Sequence, residues 1–104
     1  NDIVPIVEPE ILMNGTHDID DSFVVTEEVL HTVFFELYSQ GVNYGGMVLK
    51  PNMVLSGYDG DNRASVEEVA SATLECFERT VPVAVGGIAF LSGGQSDEDA
   101  TAHL

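Results

Sequence analysis

Positive charge is the scarcest property of this sequence, which has three lysines and arginines together against 18 aspartates and glutamates. Its formal net charge at pH 7 is −15. Phosphate backbones and anionic lipid surfaces select basic proteins, so this balance argues against binding to nucleic acid or to a membrane. We expect the acids to cover solvated helix faces, and adaptation to high salt is the alternative explanation.

Cysteine and long apolar runs are also scarce. The single cysteine, Cys76, cannot form an internal disulfide, which is typical of a protein in a reducing compartment. No run of about 18 apolar residues is present, so we expect no transmembrane helix. The first residues lack a basic leader and an initiator Met, so we expect no signal peptide. The 104 residues, 44% of them apolar, predict one small unit with a buried core.

Three short apolar runs are present in the chain, at residues 3–7, 47–49 and 88–91. Each leads into a polar residue and a turn, and these residues, Glu8, Lys50 and Ser92, are evenly spaced along the sequence. Short, nearly continuous apolar runs predict strands that are buried on both faces, as in parallel sheets.

Helical patterns separate these runs. The first spans 19–40 with Asp18 as N-cap, the second spans 65–80 with a capping box between Ser65 and Glu68, and the third begins at Ser96. Apolar or small side chains at three- and four-residue intervals are predicted to face the core. They are Phe23, Leu30, Val33, Phe34 and Leu37 in the first helix, and Val66, Val69, Ala70, Thr73 and Phe77 in the second.

The resulting order, β-α-β-α-β-α, predicts an α/β fold with parallel strands joined by right-handed helical crossovers. Three such units leave two exposed apolar edge strands, which a free-standing protein rarely tolerates. We therefore expect residues 1–104 to be a partial domain, cut at both ends, from a closed (β/α)8 barrel of about 250 residues or more.

Four segments carry a family resemblance: "PIVEPEIL", "LKPNMV", "RTVP" and "FLSGGQS". In order and spacing they resemble class I fructose-bisphosphate aldolase, the Schiff-base-forming enzyme of glycolysis and gluconeogenesis, over essentially the whole chain. The resemblance implies the fifth to seventh strands of a TIM barrel. It also implies reversible cleavage of fructose 1,6-bisphosphate into dihydroxyacetone phosphate and glyceraldehyde 3-phosphate, with no metal or other cofactor.

The resemblance also implies a role for each strand end. Lys50 would form the imine with the substrate ketone, Glu8 would be the acid/base, and Glu10 would be a supporting carboxylate. The turn at Ser92, Gly93 and Gly94 would bind a substrate phosphate. An aspartate, further lysines and an arginine of the family would come from outside this chain, and the full enzyme would be a homo-oligomer, often a tetramer, in the cytoplasm or a plastid.

The chemistry of lysine and glutamate is consistent with these implied roles. An amine attacks a carbonyl only when it is neutral, and at a reference pKa near 10.4 roughly one lysine in 2,500 is neutral at pH 7. Nearby carboxylates favour the charged form of an amine, and nearby cations favour its neutral form. We therefore expect the cations that favour the neutral amine to lie outside this chain. Glu8 and Glu10, two apart on an extended backbone, project to one side about 7 Å apart. The apolar run before Glu8 predicts that it is at least partly buried.

Two other functions stay open. One is another imine-forming barrel lyase, such as a transaldolase or a deoxyribose-phosphate aldolase, and the other is a non-catalytic binding protein on an aldolase scaffold. His17, His31 and His103 are scattered without metal-ligand spacing, so we interpret them as ordinary surface or core residues. Cys76, at the edge of a helix stripe, is predicted to be a packing residue.

Overall fold

The computed structural model of the chain describes residues 3–12, 15–57 and 63–104, and its strands form one parallel sheet. The strands are β1 (Ile6–Val7), β2 (Val48–Leu49) and β3 (Gly87–Ile88), in the spatial order β1-β2-β3. Backbone hydrogen bonding continues beyond the strand ends: the Lys50 N–H donates to the Val7 carbonyl at 2.8 Å, and the Leu91 N–H to the Pro51 carbonyl at 3.1 Å. The predicted parallel α/β arrangement is confirmed in the described residues.

Helices connect the strands and cover the sheet. They are α1 (Ile19–Ser39), α2 (Val66–Thr80) and α3 (Asp97–His103). The predicted caps are present: the Asp18 side chain accepts from the Asp21 N–H at 2.9 Å, Ser65 takes part in a capping box, and Ser96 caps α3. No helix in the described ranges is long and apolar enough to cross a membrane.

The core lies between the sheet and the packed pair α1 and α2. Its main cluster combines buried residues of α1, β2, the segments just before and after β2, and α2. These residues are Leu30, Phe34, Met47, Leu49, Val54 and Cys76. The Phe34 and Tyr44 rings meet edge to face with centroids 5.6 Å apart, and the Tyr44 hydroxyl donates to the Phe34 carbonyl. This contact anchors the loop that enters β2.

Residues 51–57, which follow β2, are buried without forming a strand or helix. Buried backbone groups need partners, and hydroxyls of the two long helices supply them. The Val54 N–H donates to Thr73 Oγ1 at 3.0 Å and the Leu55 N–H to Ser22 Oγ at 3.3 Å. At Gly57 a Cβ would stand 2.4 Å from the Gly15 carbonyl oxygen, so only glycine permits this close approach. The chain after β2 therefore leaves the sheet along a defined path.

Two burial predictions are wrong. The strands are not all buried on both faces, because Ile6 is 62% and Ile88 45% exposed. Both lie on the outer strands, which have no neighbour on one side in the described chain, whereas Leu49 on the central strand is fully buried. Val66 is also exposed, since it occupies the first position of α2, before the helix reaches its packing contact at Val69.

Candidate active site

Lys50 is positioned by the carboxyl end of the central strand. Its N–H bonds to β1, and the next residue, Pro51, is fully buried. A residue before proline is restricted to extended backbone, which fixes the direction in which the lysine leaves the strand. The side chain is 40% exposed, so its stem is partly packed while the ammonium group reaches open space.

In the described part of the chain, the carboxylate at ion-pair distance from this ammonium group comes from the adjacent strand end. Glu8 Oε1 lies 3.7 Å from Lys50 Nζ, which is an ion-pair distance and longer than a direct hydrogen bond. Half of the Glu8 side-chain surface stays accessible, so its burial is only partial. Glu10, two residues further on, is also exposed. The parallel ladder between β1 and β2 brings the Glu8 carboxylate to the lysine.

The third strand end leads into a glycine turn. Gly93 and Gly94 have φ angles of 63° and 85°, in the left-handed region where glycine is favoured. The Gln95 side chain supports the turn: its Nε2 donates to the Ser92 carbonyl at 2.9 Å, and its Oε1 lies 2.5 Å from His103 Nδ1. Just before the turn, Phe90 stacks on Phe77 of α2 with centroids 5.7 Å apart. The turn is therefore held from both α2 and α3.

One open cleft of about 390 Å³ lies between these three strand ends. Its lining includes all six residues predicted from the sequence, together with Phe90 and Leu91. The six are Glu8, Glu10, Lys50, Ser92, Gly93 and Gly94. An amine, carboxyl groups and a hydroxyl on one cleft can supply a nucleophile for a carbonyl, proton carriers and a hydrogen-bond donor. Since the charged groups are one ammonium and two carboxylates, firm binding of a dianion requires further cations.

Another cleft, of about 370 Å³, lies between α1 and α2. Its charged lining consists of carboxylates, from Asp20, Glu67, Glu68 and Glu75. It contains no amine or imidazole that could bind an anion or attack a carbonyl. The strand-end cleft is therefore the better candidate for chemistry.

Asn52, which lies two residues after Lys50, was not among the residues predicted from the sequence. Its side chain is 2% exposed and its Oδ1 accepts the Ile11 N–H at 2.9 Å. A signal was available, because a polar residue inside the otherwise apolar stretch "PNMVL" needs an internal partner.

The remaining singled-out residues lie apart from the cleft lining. The three histidines are on different segments, and the described part of the chain holds no group of three or more His, Cys, Asp or Glu able to hold a metal. Cys76 is fully buried in the core. Burial, followed by the nearby Glu27 carboxylate, raises the pKa of its thiol to about 11, so the thiol is protonated near neutral pH.

The family model "Glycolytic: Fructose-bisphosphate aldolase class-I" matches residues 1–104. A probable fructose-bisphosphate aldolase class 1 from Xanthomonas axonopodis pv. citri is 51% identical, covering 98% of this chain and 30% of the relative. Fructose-bisphosphate aldolase 2, chloroplastic, from Arabidopsis thaliana is also 51% identical, covering 98% of this chain and 26% of the relative.

The fold of the chain is also that of a solved aldolase. A Plasmodium falciparum fructose-bisphosphate aldolase, solved in complex with TRAP and a small-molecule inhibitor, superposes with a TM-score of 0.95 at 48% identity. The match covers 97% of this chain and 29% of that one. The chain thus spans under a third of the length of the relatives it matches. The match over its whole length shows that the chain belongs to the class I fructose-bisphosphate aldolase family.

Proposed function

We propose that this chain is a three-strand section of a (β/α)8 barrel, corresponding to the fifth to seventh strands, in a class I fructose-bisphosphate aldolase. The coverage of under a third of each relative supports a partial domain. The exposed apolar residues on both outer strands support it too, because neighbouring barrel strands would bury Ile6 and Ile88. In such barrels the active site lies at the carboxyl ends of the strands, where the candidate cleft opens.

The proposed reaction is the reversible cleavage of fructose 1,6-bisphosphate into dihydroxyacetone phosphate and glyceraldehyde 3-phosphate. The neutral amine of Lys50 attacks the C2 ketone and forms a carbinolamine. Glu8, as the carboxylic acid, protonates the departing hydroxyl, so that water leaves and a cationic imine forms. When a base removes the C4 hydroxyl proton, the C3–C4 electron pair moves into the imine and the aldehyde is released. Protonation at C3 and hydrolysis of the imine then return the amine and release the ketone.

Glu8 is the proposed proton carrier because its carboxyl oxygen lies 3.7 Å from Nζ. An oxygen on the carbon bonded to Nζ would come within reach of this carboxyl group. Glu10, on the same cleft, is the proposed supporting carboxylate. Ser92, Gly93 and Gly94 are proposed to bind one substrate phosphate through the serine hydroxyl and the turn backbone. Cations from other parts of the barrel would balance the carboxylates, bind the second phosphate and favour the neutral amine.

The observation that carries this proposal is the convergence of Lys50, Glu8 and the Ser92 turn on one cleft, from three separate strand ends. Following the family resemblance, we assign the full enzyme to a homo-oligomer, a tetramer, in the cytoplasm or a plastid. Light scattering on the intact enzyme would measure the mass of the assembly, and imaging of a tagged enzyme would locate it.

The test is turnover by the intact protein that contains this segment. We expect cleavage of fructose 1,6-bisphosphate in a coupled assay, undiminished by a chelator and lost irreversibly when borohydride is added with dihydroxyacetone phosphate. Imine-dependent activity only on sugars with a single phosphate would instead favour a transaldolase or a deoxyribose-phosphate aldolase. Absence of turnover with every sugar phosphate would favour a non-catalytic binding protein.

A further inference from the structure

Asn52 makes two hydrogen bonds inside the protein, although it lies close to the open cleft. Its Oδ1 accepts from the Ile11 N–H at 2.9 Å, and its Nδ2 donates to the Met53 carbonyl at 2.8 Å. At 2% exposure, this side chain has little competition from water for either bond. The amide group therefore fixes two backbone segments against each other.

Two hydrogen bonds, one of them to Asn52, lie on either side of the two carboxylates of the cleft. Upstream of Glu8, the Val7 carbonyl accepts from the Lys50 N–H at 2.8 Å. Downstream of Glu10, the Ile11 N–H is held by Asn52. The segment 8–10 is thus tied at both ends to the strand end that carries Lys50, and the downstream tie depends on one side chain.

The surroundings of Asn52 reinforce this role. Pro9, which separates the two glutamates, lines the same small internal pocket as Asn52 and Pro51. On the side of the glycine turn, the Asn52 Cβ lies 4.0 Å from where a Cβ on Gly93 would stand. One buried side chain therefore lies beneath the carboxylates, next to the lysine strand and against the glycine turn.

We infer that Asn52 is a positioning residue of the imine site, which holds the Glu8–Glu10 segment at its working distance from the Lys50 amine. The inference rests on the proposed function. Without the Ile11 hydrogen bond, the described ties between this segment and the lysine strand are the β1–β2 ladder and the exposed Glu8–Lys50 ion pair, and its carboxyl groups shift relative to Nζ. Misplacement by about 1 Å can cost about 100-fold in rate.

The test uses Asn52→Leu in the intact enzyme, because leucine has the same number and branching of side-chain atoms but forms no hydrogen bonds. Active sites are counted by trapping the imine with borohydride, so kcat is expressed per trappable lysine rather than per chain. Asn43→Leu is the matched control, since the Asn43 amide also accepts a backbone N–H, that of Gly45 at 3.1 Å, but on an exposed loop.

We expect kcat per trapped lysine to fall about 10- to 100-fold in Asn52→Leu, with KM within about threefold of the parent value. Hydrogen exchange at the Ile11 amide should accelerate, and Asn43→Leu should change neither quantity. If Asn52→Leu yields no trappable lysine, the same measurements on Asn52→Ala test the inference. The space left by alanine lets water bind the Ile11 N–H and the Met53 carbonyl, which lose their Asn52 partner.

Unchanged kcat per trapped lysine would overturn the inference, even if the variants melt at a lower temperature, because Asn52 would then be a purely structural residue. A parent enzyme that traps no imine would instead refute the proposed function. In that case hydrogen exchange at the Ile11 amide still tests whether Asn52 holds the Glu8–Glu10 segment. Unaltered exchange in the Asn52 variants would contradict this structural role, and faster exchange would support it.

Discussion

Replacing Lys50 with methionine is expected to separate activity from stability. Its ion pair with Glu8 spans 3.7 Å between side chains that are 40% and 50% exposed. Exposed pairs of this kind contribute about 0–1 kcal/mol, because water screens them. Methionine has a similar apolar stem, so the free energy of unfolding should change by less than about 1 kcal/mol.

The loss of activity should be far larger. Without an amine no imine forms, and removal of a covalent nucleophile costs on the order of 10⁴- to 10⁶-fold in kcat. Lys50→Arg should lose as much, because a guanidinium keeps the charge but stays protonated and cannot attack the ketone. The assay is cleavage of fructose 1,6-bisphosphate by the intact enzyme, alongside urea unfolding of the same preparations.

Arg79→Met is the control with the opposite pattern. Arg79 pairs with Glu75 at 2.8 Å and with Glu27 at 3.4 Å, and its guanidinium lies 5.1 Å from the centre of the Phe23 ring. It is absent from the cleft lining. We expect its removal to destabilise the protein by about 1–2 kcal/mol while kcat stays unchanged.

Turnover by Lys50→Met or Lys50→Arg within tenfold of the parent value would contradict a covalent role for Lys50. So would a loss of activity in Lys50→Met that merely follows a loss of folded protein. Either result would mean that the ammonium group serves structure or general electrostatics and not covalent chemistry.

Three further predictions concern other residues. Glu8→Gln should lower kcat about 10²- to 10⁴-fold in the steady-state assay, because the amide cannot carry protons, and near-parental turnover would contradict that role. Gly93→Ala should raise KM for the phosphorylated substrate about 5- to 30-fold. A residue with a Cβ is strained at the φ of 63° by about 1–2 kcal/mol. An unaltered KM would exclude the turn as a phosphate site. Because burial raises the pKa of the Cys76 thiol from 9.0 to about 11, the free energy of unfolding should be fully maintained below pH 9 and fall as pH rises to 11. Urea unfolding at pH 8 and 10.5 measures that fall, and an equal fall in Cys76→Ala would contradict this explanation.

The sequence predicts the helices well because their signals are local. Asp18, Ser65 and Ser96 each cap the helix that they were expected to begin, since an N-cap depends only on the next three residues. The convergence of Glu8, Lys50 and Ser92 follows from a sheet-level rule, because parallel strands direct all their carboxyl ends to one edge. The convergence therefore depends on the order and direction of the strands, whereas the roles expected of these residues come from the family resemblance.

Burial was harder to predict, because it depends on what lies beside an element. The apolar patterns around Ile6 and Leu49 look alike in sequence, yet one side chain is 62% exposed and the other fully buried. The difference is a neighbouring strand, which the pattern of a single run cannot encode. Val66 shows the same limit at a helix end. The helical pattern includes this residue, but it lies before the part of the helix that packs on the core.

Asn52 was missed for a different reason. Its hydrogen-bond partner, Ile11, lies 41 residues away and contributes only a backbone N–H, which is the same in nearly every residue type. The sequence therefore indicates that Asn52 needs an internal partner, but it does not indicate which residue supplies that partner.

The most direct measurement is to find which atom of the intact enzyme bonds to the sugar. Borohydride is added with dihydroxyacetone phosphate, the protein is digested, and the peptides are analysed by mass spectrometry. We expect one reduced adduct per chain, on the side chain of Lys50, which is absent when the sugar is omitted. An adduct on another residue, or none at all under turnover conditions, would contradict this expectation.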